Sequence, residues 1–159
     1  MAIARKIPAL TERPTTFCPG CGHGILTRLI GECLTELGQD KNVICALGVG
    51  CSCIFDTAYQ GDMLQAPHGR AAAVGTGMKR ALPDVTVFTY QGDGDAYTIG
   101  IAETLNAAYR NENISVFVVN NCNFGMTGGQ MSWTTMPGQV TATSTQMREK
   151  PILSKSPIP

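Results

Sequence analysis

Two carboxylates and an amide stand where strand-like runs end, at a spacing that suits a divalent metal. Asp93 and Asp95 lie in the turn GDGD after the apolar run VTVFTY, and Asn121 closes the next apolar run, 28 positions after Asp93. Mg²⁺ prefers oxygen ligands and often combines a carboxylate with ligand phosphates. Gly92 and Gly94 allow the backbone to approach a phosphate closely. The pattern therefore predicts a site for Mg²⁺ and a diphosphate group.

A plainer interpretation of the turn stands beside this one. Asp93 is also a residue type that starts turns and caps the helix that follows. A lone GDG favours that interpretation. The pair of asparagines at the end of a second apolar run favours the metal site instead.

The cysteines raise a second possibility for metal chemistry. Cys18 and Cys21, in CPGCG, have metal-ligand spacing, so a zinc knuckle and an iron–sulfur cluster compete with simple packing of loop thiols. Cys33 and Cys45 stand in apolar helix and strand contexts, which predicts core thiols. Cys122 is interpreted as a loop residue.

The elements that must position these residues alternate along the chain. Helix-like and strand-like periods occupy, in turn, residues 23–38, 42–50, 68–83, 85–90, 97–112 and 114–121. This alternation predicts an open parallel α/β sheet with helices on both faces. The helix over 97–112 should turn Ile99, Ala102, Leu105, Ala108 and Tyr109 toward the core, and the last strand should be covered on both faces.

Three loops should then meet at one edge of the sheet. GVGCSC, QGDGDAY and NNCNFGMTGG each follow an apolar run. Ligands of such sheets bind beyond the carboxyl ends of the strands. One site could therefore collect all three loops.

The residues of these motifs resemble those of a known family. FCPGCGHG, GVGCSC, HGRAAAVGTGMKRALPD, GDGDAYTIG and NNCNFGMTGGQ resemble the β subunit of 2-oxoacid:ferredoxin oxidoreductases of the pyruvate and 2-oxoisovalerate type, and GDGD with NN resembles a thiamine-diphosphate-binding motif. The resemblance runs from Thr16 to Ser144. It implies an N-terminal arm over 1–15, a thiamine-diphosphate and Mg²⁺ domain over 16–144 and an irregular tail over 145–159, with the C-terminal half of the family's subunit absent.

The resemblance also implies roles for individual residues. Mg²⁺ ligands would be Asp93, the side-chain oxygen of Asn121 and the main-chain carbonyl of Asn123. His68, in PHGR, would be the catalytic histidine beside the cofactor, although a hydrogen-bonded histidine at a helix start remains open. The residues that would bind the cofactor are Cys51, Ser52, His68, Gly92, Gly94, Asp95, Gly125, Met126 and Thr127.

An iron–sulfur cluster of the 4Fe–4S kind is implied in the same way. Cys18, Cys21 and Cys51 match three ligands of the compact family members. The fourth ligand has no counterpart in this chain, and Cys53 is a poor substitute for it in the family pattern.

The activity that the resemblance implies is oxidative decarboxylation of a 2-oxoacid to acyl-CoA and CO₂, with electrons passed to ferredoxin. The expected partners are an α subunit that carries the pyrimidine-activating Glu, a ferredoxin or ferredoxin-like subunit, coenzyme A and the 2-oxoacid. Glu103 is expected to be a solvated helix residue and not that Glu. CSCIFD and MTGGQMS contain no Lys or Arg, which favours pyruvate or a branched-chain 2-oxoacid.

The composition of the chain argues against some classes of function and for a surface that partners cover. Formal net charge is zero, which gives no electrostatic case for nucleic acid, and no apolar run approaches a membrane span, so a cytoplasmic chain is expected. Only 15% of residues are charged, which predicts a surface partly covered by partners. A thiamine-dependent decarboxylase subunit without a cluster and a non-catalytic iron–sulfur module remain as alternatives.

Overall fold

The structure is a computed structural model that describes residues 7–144. The predicted tail, 145–159, and the first six residues of the predicted arm lie outside the described residues. The helices are α1 (Gly22–Glu36), α2 (Phe55–Ala58), α3 (Ala71–Ala81) and α4 (Ile101–Tyr109), with 3₁₀ turns at Ala9–Thr11 and Cys51–Ile54 and a π-helix at Gly94–Ile99. The strands are β1 (Val43–Leu47), β2 (Asp62–Gln65), β3 (Thr86–Gly92), β4 (Ser115–Val119), β5 (Asn123–Phe124) and β6 (Gln130–Met131).

Four strands form one parallel sheet in the order β2-β1-β3-β4, so the predicted open parallel α/β sheet is confirmed. Strand β2 was not predicted from the sequence. Its four residues, DMLQ, are too few and too mixed for a period, and most of them are exposed. β5 and β6 form a separate antiparallel hairpin after the last sheet strand.

Helices cover both faces of the sheet, as predicted. On one face, Ile30 and Leu34 of α1 join an apolar cluster with Cys45, Phe88 and Tyr90 from the central strands. On the other face, α3 approaches closely because its residues are small. A Cβ added at Gly75 would lie 3.2 Å from Thr89 and 3.6 Å from Ala46.

The predicted inner face of the fourth helix is wrong. Leu105 is 59% exposed and Tyr109 is 91% exposed, and Ile99, Ala102 and Ala108 are exposed too, whereas Ala107 is the buried residue of α4. α4 packs chiefly against α3 and against the π-helix that precedes it, with Ala107 turned inward. The apolar stripe of α4 keeps a regular helical period but lies on the exposed side of the helix.

Two further expectations are corrected. Strand β4 is only half-buried and not covered on both faces, because it is the edge strand of the described sheet and has a neighbour on one side only. Cys33 is exposed on α1 and is no core thiol, since the buried stripe of that helix follows Ile30 and Leu34. Cys45 is fully buried as predicted, and burial raises the pKa of its thiol.

Part of the predicted arm belongs to the folded core. Leu10 is buried in the same cluster as α1, and its carbonyl accepts a hydrogen bond from the amide of Gln60. Within residues 7–144, no helix is both long and apolar enough to cross a membrane.

Candidate functional site

A cleft of about 130 Å³ lies at the carboxyl ends of β1, β3 and β4, where the three loops were expected to meet. Every residue predicted to bind the cofactor or Mg²⁺ lines it. The full lining is His23, Val49, Gly50, Cys51, Ser52, His68, Gly92, Asp93, Gly94, Asp95, Val119, Asn121, Asn123, Phe124, Gly125, Met126 and Thr127. Cys18 and Cys21 do not line it.

Asp93 is 1% exposed and its two carboxylate oxygens have different surroundings. Oδ2 accepts short hydrogen bonds from Ser132 Oγ, at 2.6 Å, and from Thr134 Oγ1, at 2.5 Å. Among the described residues, Oδ1 receives only the main-chain amide of Asn121, at 3.4 Å. Asp93 makes no capping hydrogen bond to the π-helix that follows, so the helix-cap interpretation does not hold. One buried oxygen is therefore free to bind a cation.

The segment after β4 folds so that its polar groups face the cleft. Asn121 Oδ1 accepts a long hydrogen bond from the amide of Asn123, at 3.3 Å, and Cys122 between them has a positive φ of 61°. The hairpin of β5 and β6 then returns the chain to Ser132 and Thr134. The sequence alone did not identify Ser132 and Thr134 as site residues, because hydroxyl side chains occur at many positions of this threonine-rich segment.

Asp95 joins three separate segments of the chain. Its Oδ1 accepts the amides of Val49, at 3.2 Å, and Gly69, at 2.8 Å, and lies 2.5 Å from His68 Nδ1. Its Oδ2 accepts Gln91 Nε2 at 2.6 Å. The carboxylate thus ties the loop after β1, the loop before α3 and the end of β3 to the π-helix.

Close backbone contacts fix the π-helix against its neighbours. A Cβ at Gly94 would lie 2.4 Å from the ring of Phe124, so only glycine lets this ring pack there. A Cβ at Gly100 would lie 2.3 Å from the carbonyl oxygen of Gly69, which itself has a φ of +79°. π-turns of this kind occur often at functional sites.

The cysteines predicted to bind iron lie near one another at one side of the cleft. Burial raises the pKa of Cys51, and the neighbouring thiols of Cys21, Cys18 and Cys53 raise it further. Cys51 lines the cleft, and its Sγ would lie 3.6 Å from a Cβ at Gly125. Among residues 7–144, no three His, Cys, Asp or Glu side chains converge closely enough to hold a single metal ion.

His23 is a site residue that the sequence did not single out. It lines the cleft, stacks on Phe17 with ring centroids 4.7 Å apart, and its Nδ1 lies 2.7 Å from the hydroxyl of Tyr90. Burial lowers the pKa of His23, which favours the neutral ring. The sequence feature that could have identified His23 is its position two residues after Cys21.

Glu103 is not the solvated residue that was expected. Its Oε1 pairs with Arg70 at 2.8 Å, while Oε2 is buried without a partner in the described part of the chain. It does not line the cleft.

Comparison with known proteins agrees with this arrangement. Residues 38–155 match the family described as thiamine pyrophosphate enzyme, C-terminal TPP binding domain. The chain belongs to this family. Its four-stranded parallel sheet with helices is the fold of such a domain, and the predicted resemblance to β subunits of 2-oxoacid:ferredoxin oxidoreductases is confirmed by the relatives.

Ketoisovalerate oxidoreductase subunit VorA of Methanothermobacter thermautotrophicus is 50% identical over 129 residues, which are 81% of this chain and 27% of that protein. The 2-oxoglutarate synthase subunit KorB of Archaeoglobus fulgidus is 39% identical over 132 residues, covering 82% of this chain and 49% of that protein. The chain therefore spans between about a quarter and a half of these relatives' lengths.

A solved structure has a similar fold. It is the 2-oxoglutarate:ferredoxin oxidoreductase from Magnetococcus marinus with 2-oxoglutarate, coenzyme A and succinyl-CoA bound. The TM-score is 0.79 at 35% identity, over 84% of this chain and 46% of that one. This thiamine-pyrophosphate domain is thus similar in both sequence and fold to subunits of 2-oxoacid oxidoreductases.

Proposed function

We propose that this chain is the thiamine-diphosphate-binding β subunit of a heteromeric 2-oxoacid:ferredoxin oxidoreductase. The enzyme would convert a 2-oxoacid and coenzyme A to acyl-CoA and CO₂ and pass the electrons to ferredoxin in the cytoplasm. The observation that carries the proposal is the buried carboxylate of Asp93. Two hydroxyls occupy one of its oxygens, and the other faces Asn121 at the end of the adjacent strand.

The donor set fits Mg²⁺ with a diphosphate. Asp93 Oδ1, the side-chain oxygen of Asn121 and the main-chain carbonyl of Asn123 would be the protein ligands, all of them hard oxygens. A Cβ at Gly92 would meet no atom within 4 Å, so the backbone borders open space where the phosphates would lie. Gly94 and Gly125 would line the same region.

Thiamine diphosphate, when bound, supplies an electron sink for decarboxylation next to a carbonyl group. The chain's own residues hold and enclose it. Ser52, Met126 and Thr127 would border the thiazolium and diphosphate region, and His68 would face it. Cys18, Cys21 and Cys51 would supply three ligands of a 4Fe–4S cluster beside the cleft.

The cleft supports a heteromeric assembly. Within residues 7–144 its volume is about 130 Å³, below the roughly 300 Å³ at which complete ligand pockets begin, so these residues enclose only part of such a cofactor. Asp93 would bind Mg²⁺ and Asp95 is bound on both oxygens, so among residues 7–144 no other carboxylate lines the cleft to face the pyrimidine ring. An α subunit with the activating Glu would complete the site, and a ferredoxin or ferredoxin-like subunit would take the electrons.

A branched-chain 2-oxoacid is the substrate that the similarity supports best, with pyruvate as the second candidate. Two relatives at 50% identity are named for ketoisovalerate, while the KorB relatives, at 39% and 36% identity, are named for 2-oxoglutarate. Among residues 7–144 no Lys or Arg lines the cleft, so this part of the chain offers no cation for a second substrate carboxylate.

The activity is tested on the assembled complex under anaerobic conditions. We expect coenzyme A-dependent reduction of a ferredoxin or viologen dye with 2-oxoisovalerate and slower reduction with 2-oxoglutarate. Asp93→Ala should abolish the Mg²⁺-dependent part of thiamine diphosphate affinity, measured by calorimetry, because a metal ligand is lost. Unchanged Mg²⁺-dependent affinity in this variant would contradict the proposed site.

Iron analysis separates the proposal from its alternatives. We expect the complex to contain iron that falls in Cys51→Ser and is retained in Cys33→Ser, whose thiol is exposed on α1. Thiamine-dependent decarboxylation without iron would identify a decarboxylase subunit. Iron without thiamine diphosphate binding would identify an electron-transfer module.

A further inference from the structure

The hydrogen bonds around Asp95 decide where the proton of His68 lies. The main-chain amides of Val49 and Gly69 donate to Asp95 Oδ1 at 3.2 and 2.8 Å. Gln91 Nε2 donates to Oδ2 at 2.6 Å. An amide N–H can only donate, so both oxygens of Asp95 act as acceptors.

The Asp95 carboxylate fixes the orientation of the Gln91 amide, because the hydroxyl of Thr89 can donate or accept and fits either orientation. Thr89 Oγ1 donates to Gln91 Oε1 at 3.1 Å. The side chains of Thr89, Gln91 and Asp95 are all buried. The opposite amide orientation would place the Gln91 oxygen against the Asp95 carboxylate, where two acceptors would repel each other. The row Thr89, Gln91, Asp95 therefore has one consistent set of donors.

His68 completes this row at the cleft. Its Nδ1 lies 2.5 Å from Asp95 Oδ1, an atom that already accepts two amides, so the hydrogen of this contact belongs to Nδ1. In the neutral ring, Nε2 then carries no proton. Nε2 has no hydrogen bond within residues 7–144, and the side chain is 34% exposed where it lines the cleft.

We propose that Asp95 is a positioning residue that holds His68 in the Nδ1–H tautomer, so that Nε2 presents a proton acceptor to the cleft. A bare ring nitrogen repels a phosphate oxygen, so His68 would accept a hydrogen from an O–H or N–H donor of the bound molecule and would not hold the diphosphate. Only the identity of that molecule rests on the proposed function.

The tautomer is measured directly by nitrogen NMR. The full chain contains two histidines, His23 and His68, so labelling with [¹⁵N]histidine gives two sets of ring signals. We expect His68 to show a protonated Nδ1 and an unprotonated Nε2 at slightly alkaline pH, in the chain assembled with unlabelled partner subunits. A proton on Nε2, in either the neutral or the charged ring, would overturn the proposal, whatever the complex catalyses.

A double-variant cycle tests the coupling between the two residues. Asp95→Asn should slow turnover by about 10- to 100-fold, as loss of a residue that orients a functional histidine does. In a His68→Gln background the same change should cost less than about twofold if Asp95 acts through His68. An undiminished loss in that background would overturn the proposal. Unchanged His23 signals in Asp95→Asn would establish that the variant is folded.

Ligand affinity separates this inference from the proposed function. His68→Gln should leave the Kd for thiamine diphosphate within about threefold, because a bare Nε2 makes no phosphate contact, and a much larger loss would overturn the inference. Failure of thiamine diphosphate to bind the unmodified complex would instead count against the proposed function, while the tautomer measurement stays valid.

Discussion

At the scale of single residues, the two aspartates of the turn GDGD have different surroundings although they are two positions apart. Asp93 receives two side-chain hydroxyls and one distant amide, whereas Asp95 is bound on both oxygens by N–H donors. A carboxylate with a free oxygen can bind a cation, and a carboxylate with none can only orient its neighbours. Under the proposed function, Asp93, which precedes the π-helix, would be the metal ligand, and Asp95, within the π-helix, would be the positioning residue.

The hydroxyl of Thr134 should tune the metal affinity of Asp93. Thr134→Val removes a hydrogen bond to the buried Oδ2 and leaves Ser132 as its remaining hydroxyl donor. We expect the Mg²⁺ concentration that half-saturates thiamine diphosphate binding to rise about 10- to 100-fold, as it does when partners of ligating carboxylates are lost.

A matched control for that change is Thr76→Val on α3, whose hydroxyl donates to the carbonyl of Ala72 away from the cleft. It removes the same group and should leave the Mg²⁺ requirement unchanged. Equal effects of both substitutions would show that the hydroxyl of Thr134 acts on stability and not on the metal.

The residue types of the site could be found from the sequence, but their partners could not. Asp93, Asn121 and His68 stood out because their spacing matched strand ends and a familiar motif. Ser132 and Thr134 reach Asp93 only after the hairpin of β5 and β6 turns the chain back, a contact across about 40 residues. Such a contact depends on tertiary folding, which local pattern does not encode.

At the scale of elements, the π-helix positions one carboxylate of the site. Its six residues follow β3 after Asp93 and bring Asp95 next to the loop of His68. The helix that follows, α4, has an apolar stripe of regular period that stays exposed, so a period of 3.6 residues assigned the wrong buried face. The order of elements and the parallel sheet were predictable because apolar runs and glycine punctuation encode them locally.

Gly94 should be the position of the π-helix that least tolerates a side chain. Gly94→Ala places a methyl group within 2.4 Å of the Phe124 ring, so we expect a loss of about 1–3 kcal/mol in the free energy of unfolding, measured by urea denaturation. Combining it with Phe124→Leu should recover part of this loss, because the smaller side chain can move.

The control for this prediction is Gly77→Ala on α3, where an added Cβ meets nothing within 4 Å. Helix propensity predicts that this variant is as stable as the original chain or more stable by up to about 1 kcal/mol. If Gly94→Ala were equally well tolerated, the packing of Phe124 against Gly94 would not be as tight as described.

At the scale of the whole molecule, the chain presents apolar surface at the mouth of its cleft. Met126, Met131, Trp133, Met136 and Val140 are exposed there or in the segment that follows. Together with the low fraction of charged residues, this surface is consistent with the partner-covered face that the sequence predicted. Which partner covers it was not readable from the sequence, because an interface needs both surfaces.

Trp133 is the only tryptophan of the chain and is 74% exposed, so it should report assembly. We expect its fluorescence emission to move to shorter wavelength when the proposed α subunit binds, because the ring would leave water. The difference spectrum against a complex that carries Trp133→Phe isolates this signal from tryptophans of the partner. The isolated chain should show no 2-oxoacid turnover, and turnover by the purified chain alone would contradict the heteromeric assembly.

The contact between Gly69 and Gly100 has a consequence for anyone who wishes to redesign substrate choice. The carbonyl of one glycine fills the space that a side chain on the other would need, so a single replacement at Gly100 meets backbone and not a movable side chain. A combinatorial library that diversifies the cleft should therefore hold both glycines constant. In libraries that randomise either glycine, most variants would be unable to form this contact.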